Sequence, residues 1–308
     1  MPFALISHSD CARHRVALHH PEHPERLAAI EDRLLASGLD MLVQHHDAPE
    51  ATREQLLRVH SPDYLAFVEE SAPAGDEMVC IDEGDTVLTE HSLTAARRAA
   101  GAAVLGVDLV LTGQAWGAFC NVRPPGHHAE RARAMGFCIF NNVAVGAAHA
   151  LVAHRLERVA IVDFDVHHGN GTEAIFGNED RVLFCSTFQH PFYPHTGQKA
   201  RTRNLVDVPL PAGTGGETFR RAVSEHWLPA LDAFEPELVM ISAGFDGHVE
   251  DEMSGFALVD YDYAWVTSQL ASVAFRHASG RIVSCLEGGY ALSALGRSAA
   301  AHVKALID

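Results

Sequence analysis

The sequence predicts an α/β protein with a central, mostly parallel β-sheet flanked by helices. The first observation is a series of short apolar segments without polar alternation, which is typical of strands buried on both faces of a sheet. The second is that amphipathic or alanine-rich helical segments separate many of them, which favours parallel strands joined by crossover helices. The third is that loops rich in glycine, histidine and aspartate follow the apolar segments, where open α/β sheets bind ligands.

Six strands and six helices are predicted along the chain. The strands are residues 3–6, 116–120, 159–162, 182–185, 238–242 and 282–286. The helices are residues 24–37, 92–111, 141–156, 216–234, 260–277 and 292–307. Gly38 is expected to end the first helix, because glycine readily adopts the left-handed conformation that follows many helices. No linker rich in proline, serine or glycine interrupts this order, so residues 1–308 are predicted to form a single domain.

Composition and charge exclude several classes of protein. The chain has 308 residues, 47% of them hydrophobic, and a formal net charge of −17, which suits a large globular core and excludes a disordered protein. The acidic charge argues against nucleic-acid binding, and no apolar stretch is long enough to predict a membrane-spanning helix. The six cysteines form no C-x-x-C pair and no signal-peptide pattern is present, so we expect free thiols and a cytoplasmic location.

The strongest motif is DFDVHHGNG, residues 163–171, which follows a predicted strand. In extended backbone, Asp163, Asp165 and His167 would project to the same face. A further carboxylate, Asp246, lies in SAGFDGH after the predicted strand 238–242. One imidazole and two carboxylates can hold a catalytic zinc ion with a coordination position open for water. A single D-x-H segment more often forms a solvated turn, but two such loops at one sheet edge favour the metal site.

Two further loops carry candidate catalytic groups. The loop RPPGHHA, residues 123–129, is stiffened by two prolines and presents His127 and His128. We expect a general base and an electrostatic partner, because two more ligands would close the open position on the metal. A surface histidine pair is the alternative. The loop LEGGY ends at Tyr290, whose hydroxyl could donate to the oxyanion of a tetrahedral intermediate, although packing at the domain edge would also explain it.

These motifs, together with HPEHPERL at residues 20–27, resemble the histone deacetylase/acetylpolyamine amidohydrolase family, and most of all its class II-like bacterial zinc-dependent deacetylases. The resemblance extends over residues 19–290 in the family's order. It implies the arginase/deacetylase-like fold, with the active site at the C-terminal ends of the strands. It also implies a zinc-dependent hydrolase that removes acetyl or other short acyl groups from acyl-lysine side chains, in a peptide or protein, or from a related acylated amine.

The resemblance assigns roles to the residues of these motifs. It implies one zinc ion per chain with three ligands, namely Asp165, His167 and Asp246. It implies five catalytic or supporting residues: His128 as general base, His127 as the charge-stabilising partner, Asp163 behind His127, Asn170 behind His128, and Tyr290 on the oxyanion. It also implies a structural potassium ion, bound by the main-chain carbonyls of Asp163, Asp165 and His167 together with Ser186.

The resemblance also identifies the substrate-binding residues. They are Gly136, Phe137, Tyr193 and Met253 in a narrow acyl-lysine tunnel, and Arg26 beneath the active site. Phenylalanine is more usual in the family at the place of Tyr193, and the class I branch has aspartate at the place of Asn170. A glutamate at the tunnel mouth would favour a polyamine, so Met253 favours acetyl-lysine peptides, although Glu252 is adjacent.

Three alternatives remain open at the level of the sequence. The first is an acetylpolyamine amidohydrolase, which would share every catalytic residue. The second is an arginase-type ureohydrolase with two manganese ions, which would need a carboxylate where Gly169 stands in the D-x-H-x-D segment. The third is a catalytically silent acyl-lysine-binding module, which the joint presence of base, ligands and phenol disfavours. A homo-oligomer is neither predicted nor excluded.

Overall fold

A computed structural model describes residues 1–17, 19–197 and 202–308. The strands in chain order are β1 (Phe3–Ser7), β2 (Val43–Asp47), β3 (Val79–Cys80), β4 (Val87–Leu88), β5 (Gly117–Cys120), β6 (Val159–Asp163), β7 (Val182–Gln189), β8 (Leu205–Leu210), β9 (Leu238–Ala243) and β10 (Ile282–Leu286). Eight of them form one sheet in the order β2-β1-β5-β10-β9-β6-β7-β8, with every neighbouring pair parallel. The predicted α/β class with a mostly parallel sheet is confirmed.

Ten α-helices lie within the described residues. They are α1 (Glu25–Ala36), α2 (Arg53–Leu57), α3 (Pro62–Ser71), α4 (Ser92–Leu111), α5 (Asn142–Ala153), α6 (Asn170–Phe176), α7 (Gly216–Ala222), α8 (Leu228–Phe234), α9 (Asp260–His277) and α10 (Leu292–Ile307). Helices α4 and α5 pack together on one face of the sheet, and α1, α9 and α10 on the other. Consecutive residues of strand β10 contact helices on opposite faces. Val283 lies against Gly106 of α4, whereas Ser284 Oγ is 2.8 Å from His302 Nε2 of α10.

The structure differs from the sequence prediction mainly at the edges of the sheet. The edge strands β2 and β8 were not predicted, because β2 is polar and half-exposed and β8 is only partly buried. The antiparallel pair β3–β4 and the short helices α2, α3 and α6 were also not predicted. The predicted helix 216–234 is interrupted by a π-helical turn, Val223–Trp227, which the sequence prediction did not include.

Two expectations from the sequence concern the cysteines, expected as free thiols, and the helices, none of which was expected to span a membrane. All six cysteines are free thiols, and five of them are buried. Within the described residues, no helix is both long enough and apolar enough to cross a lipid bilayer.

Acidification is expected to destabilise the protein through His302. Its ring is buried among Phe119, Phe164 and Phe245, and burial lowers the pKa of His302 to about 3. Because the folded pKa lies below the unfolded value, the unfolded state takes up a proton first as the pH falls. This stability is therefore complete above about pH 6.5 and is lost between there and pH 3, at about 1.4 kcal/mol per pH unit.

Urea unfolding at pH 7, 6 and 5 measures this dependence. In His302→Gln the slope of unfolding free energy against pH should decrease by about 1.4 kcal/mol per unit relative to the wild type. The exposed His226 offers a control, since His226→Gln should leave the slope unchanged. An unchanged slope in His302→Gln would show that this imidazole does not link folding to protons.

Candidate active site

Loops from four neighbouring strands at the centre of the sheet meet at their carboxyl ends. The loop after β5 brings His127 and His128, the loop after β6 brings Asp165 and His167, and the loops after β9 and β10 bring Asp246 and Tyr290. The predicted position of the site at the C-terminal strand ends is confirmed. The backbone is not extended through residue 167, because β6 ends at Asp163 and residues 165–167 form a bend. The bend turns Asp163 and Asp165 toward different partners.

Asp165, His167 and Asp246 form a buried cluster of three metal-binding groups. His167 Nδ1 lies 3.1 Å from Asp165 Oδ1 and 3.1 Å from Asp246 Oδ2, and each residue offers a ligand atom within 4.8 Å of the others. Main-chain N–H groups orient the carboxylates, since Gly288 N donates to Asp165 Oδ2 at 2.8 Å and Val166 N to Asp246 Oδ1 at 3.0 Å. A Cβ atom on Gly288 would collide with both carboxylates, so only glycine allows this approach.

The charge distribution of this cluster suits a divalent cation. Burial and the neighbouring charge of Asp165 raise the pKa of Asp246 to about 6. Burial opposes the charge on His167, but the carboxylates of Asp246 and Asp165 raise the pKa of His167 to about 10. Two buried carboxylates thus face one imidazole nitrogen, and one imidazole with two carboxylates is a donor set that zinc accepts. The residues present fit a single metal ion.

Other groups of metal-binding side chains in the described part of the chain are occupied by hydrogen bonds. In the cluster of Asp108, His149 and His154, Arg58 donates to His149 Nδ1 at 2.7 Å, which leaves the proton of the neutral ring on Nε2, facing Asp108 Oδ1 at 2.8 Å. That proton blocks the ligand position. In the cluster of His127, Cys138 and Glu287, the Glu287 carboxylate accepts main-chain N–H groups. His168 pairs with Glu173 and Ser186 in the cluster that also contains Asp207.

His128 is held as a neutral imidazole. The side-chain amide nitrogen of Asn170 donates to Glu130 Oε1 at 2.9 Å, so the amide oxygen of Asn170 accepts from His128 Nδ1, at 2.7 Å. The proton of the ring therefore resides on Nδ1, and Nε2 keeps the lone pair. Burial, with the charges of His127 and His167, lowers the pKa of His128 well below its ordinary value. A neutral histidine with a free lone pair in a cavity can act as a base.

His127 is held in the opposite protonation state. Its Nδ1 lies 2.9 Å from Asp163 Oδ2, and its ring centroid is 4.0 Å from that of His128. Burial opposes the charge, but the carboxylates of Asp163, Asp165 and Glu287 raise the pKa of His127 to about 10. Adjacent groups whose environments separate their pKa values are typical of acid–base pairs in active sites.

A cavity of about 230 Å³ leads to these groups. Its lining includes the tunnel residues predicted from the sequence: Gly136, Phe137, Tyr193 and Met253. Gly136 has φ +56°, and a Cβ atom there would collide with the His128 ring. Phe192 and Asp85 also line the cavity and were not among the predicted site residues. Phe192 stacks on His167, with ring centroids 5.5 Å apart, and Asp85 brings a carboxylate to the cavity.

Tyr290 completes the cavity opposite the histidines. Burial and the charge of Asp246 raise the pKa of its phenol well above the ordinary value, so the hydroxyl keeps its proton at neutral pH. Arg26 lies beneath it, with the guanidinium carbon 5.0 Å from the ring centroid. The guanidinium donates to the carbonyl oxygens of Gly289, at 2.6 Å, and Glu287. Arg26 therefore fixes the loop that carries the phenol.

A buried ion-pair network behind Arg26 was not predicted. Glu22 is fully buried and accepts from Arg26 at 3.0 Å and from two nitrogens of Arg123. Burial opposes its charge, but the two guanidinium groups hold the pKa of Glu22 at about 2. Both Glu22 and Arg123 lie inside the sequence motifs, yet a spacing pattern carries no sign that they meet. The network ties the N-terminal motif to the loop before His127.

Comparison with known proteins decides the family. The histone deacetylase domain matches residues 20–306. The chain belongs to the histone deacetylase family. A probable deacetylase from Archaeoglobus fulgidus is 36% identical over 95% of this chain and 82% of that protein. The human polyamine deacetylase HDAC10 is 38% identical over the whole chain and 48% of that protein.

The solved structures agree with this membership. The crystal structure of the HDA15 HD domain matches with a TM-score of 0.93 and 34% identity, over 99% of this chain and 88% of that one. The chain is therefore a hydrolase of the deacetylase type in the histone deacetylase fold. It spans about half of human HDAC10 and 20% of type-2 histone deacetylase 2 from Dictyostelium discoideum, so some relatives carry long additional regions.

Proposed function

We propose that residues 1–308 form a single catalytic domain with one zinc ion bound by Asp165, His167 and Asp246. This domain removes acetyl or other short acyl groups from acyl-lysine side chains or a related acylated amine. One observation carries the proposal. A neutral histidine, a charged histidine and a protonated phenol line the same cavity as His167 of the metal-binding cluster. Acyl transfer from an amide needs a base, an acid and an oxyanion donor within reach of one carbonyl.

His127, His128 and Tyr290 each have a defined task in this reaction. The zinc ion, when bound, supplies polarisation of the amide carbonyl and lowers the pKa of the attacking water. His128 Nε2 takes the proton of the water, and the resulting hydroxide attacks the carbonyl carbon. Tyr290 donates its hydroxyl hydrogen bond to the tetrahedral oxyanion, and the His127 imidazolium offsets the negative charge. His128 then returns its proton to the leaving amine, and the C–N bond breaks.

A structural potassium ion is part of the same proposal. Its ligands would be the main-chain carbonyls of Asp163, Asp165 and His167 with the hydroxyl of Ser186. Ser186 on β7 pairs in register with Asp163 on β6, which supports this grouping. Oxygen ligands from carbonyl and hydroxyl groups suit a hard cation.

Acetylated polyamine is the second candidate substrate. Asp85 lines the cavity, and its carboxylate would attract a protonated amine. Against this, Met253 lines the same cavity without charge. We propose acetyl-lysine peptide as the better substrate, because the residue nearest to the family's glutamate position is apolar. Two manganese ions are disfavoured, since Gly169 cannot supply the bridging carboxylate of an arginase-type site.

Acetyl-lysine peptides are therefore expected to outcompete acetylspermidine. Parallel assays of kcat/KM, with an acyl chain-length series and with or without a chelator, measure both selectivity and metal dependence. Met253→Glu should shift the ratio toward acetylspermidine by about tenfold, the effect of one added charge pair of about 1.4 kcal/mol. Met78→Glu, at an exposed methionine outside the cavity lining, should not change it. A wild-type preference for acetylspermidine would reverse the substrate assignment, and no zinc-dependent hydrolysis of any substrate would favour the silent binding module.

A further inference from the structure

Asp251 is a buried carboxylate with no role in the proposed chemistry. Only 5% of the residue is exposed, and it lies in the loop after β9, five positions beyond Asp246. Its Oδ2 accepts hydrogen bonds from the main-chain N–H groups of Tyr290 at 2.6 Å and Ala291 at 3.1 Å. Its Oδ1 accepts from the main-chain N–H of Met253 at 3.0 Å. One side chain thus binds the backbone of two different walls of the cavity.

We propose that Asp251 is a positioning residue that couples the tunnel mouth at Met253 to the oxyanion donor Tyr290, an inference that rests on the proposed function. The carboxylate fixes the backbone of both residues to one rigid group. A shift of the mouth on substrate binding is therefore transmitted to the phenol over a single side chain. Substrate contacts at Met253 then determine where the hydroxyl lies.

Neighbouring contacts make this coupling specific. The loop that carries Asp251 is closed by a hydrogen bond between its two ends. Ser254 Oγ donates to the main-chain carbonyl of Asp246 at 2.8 Å. The other side of the phenol loop is held by Arg26 through the carbonyls of Glu287 and Gly289. Arg26 binds acceptors before Tyr290, whereas Asp251 binds donors at and after it. Without Asp251, the main-chain N–H groups of Tyr290 and Ala291 lose these hydrogen bonds, and the ring can tilt around the Arg26 anchor.

Asp251→Asn tests the coupling with little change in size. The amide replaces one acceptor oxygen with an N–H donor, so it cannot accept from both walls. We expect kcat to fall by about 10- to 100-fold, the range that follows a misplacement of about 1 Å in a catalytic group. Zinc content should remain at one ion per chain. Hydrogen exchange, measured by mass spectrometry, should accelerate in peptides covering Met253 and Tyr290.

The decisive measurement repeats the substitution in a Tyr290→Phe background. Because the proposed effect acts through the phenol hydroxyl, Asp251→Asn should then change kcat by less than about twofold. An equal loss in both backgrounds would overturn the proposal and leave Asp251 as a structural residue. Asp251→Glu, which restores a carboxylate, should recover part of the exchange protection and of kcat.

Asp262 provides a matched control. It is also buried and accepts a main-chain N–H, from Val259 at 3.0 Å, but it lies at the start of α9, outside the cavity lining. Asp262→Asn should lower the unfolding temperature without changing kcat. A wild-type enzyme without activity on any acyl amide would refute the proposed function, whereas the exchange measurement still tests the link between Met253 and Tyr290. Unchanged exchange in Asp251→Asn would refute the link itself.

Discussion

Tyr290→Phe is expected to lower kcat by about 10²- to 10³-fold while zinc remains bound, because the loss of one oriented oxyanion donor costs this much. The phenol keeps its proton and lines the cavity, so it is placed to donate in the transition state. Steady-state kinetics and metal analysis of the purified variant measure the two effects. Tyr261 is 64% exposed, so Tyr261→Phe is the control and should retain wild-type turnover. Wild-type turnover in Tyr290→Phe would remove the tyrosine from the mechanism.

Asp246→Ala is expected to remove both the metal and the activity. The substitution deletes one of two carboxylates that face His167 Nδ1. Because a catalytic metal stabilises the transition state by several kcal/mol, turnover should fall by at least about 10³-fold. Elemental analysis should find one zinc ion per wild-type chain and much less than one per variant chain.

Asp108→Ala is the matched control for this prediction. It breaks a different cluster, Asp108 with His149 and His154, in which the hydrogen bond from Arg58 leaves a proton on the His149 nitrogen that faces Asp108. Zinc content and turnover should remain at wild-type values. Two manganese ions per wild-type chain would contradict the single-metal site and favour the ureohydrolase alternative.

The central strands could be predicted from the sequence, whereas the edge strands could not. Strands β5, β6, β7, β9 and β10 are buried on both faces, so their residues are apolar without alternation. Strand β2 pairs on one side only and contains the polar residues His45 and His46. A half-exposed strand of this kind shows neither the continuous apolar run of a buried strand nor the regular apolar–polar alternation of a strand with one buried face. The sequence is informative where burial restricts the choice of residue, and the edges lack that restriction.

The candidate site shows the same division. Side chains that can bind a metal or transfer a proton, such as Asp165 and His128, could be identified by residue type and spacing. Asp251 and Glu287 could not, because they act by accepting main-chain N–H groups, and any residue except proline supplies that donor. Asp85 and Phe192 enter the cavity from loops whose path depends on the whole fold. Contacts between residues that are far apart in the sequence leave no local pattern in it.

The separation of the metal-binding cluster along the chain has a consequence for folding. Asp165 and His167 follow β6, and Asp246 follows β9 some eighty residues later, so the cluster exists only when these strands are paired. A partly folded chain therefore lacks this cluster, and the proposed ion would bind the native state alone. By mass action, free zinc at 100 times its dissociation constant would stabilise the native state by about 2.7 kcal/mol. With the proposed ion, metal supply would affect the stability of the native protein as well as its activity.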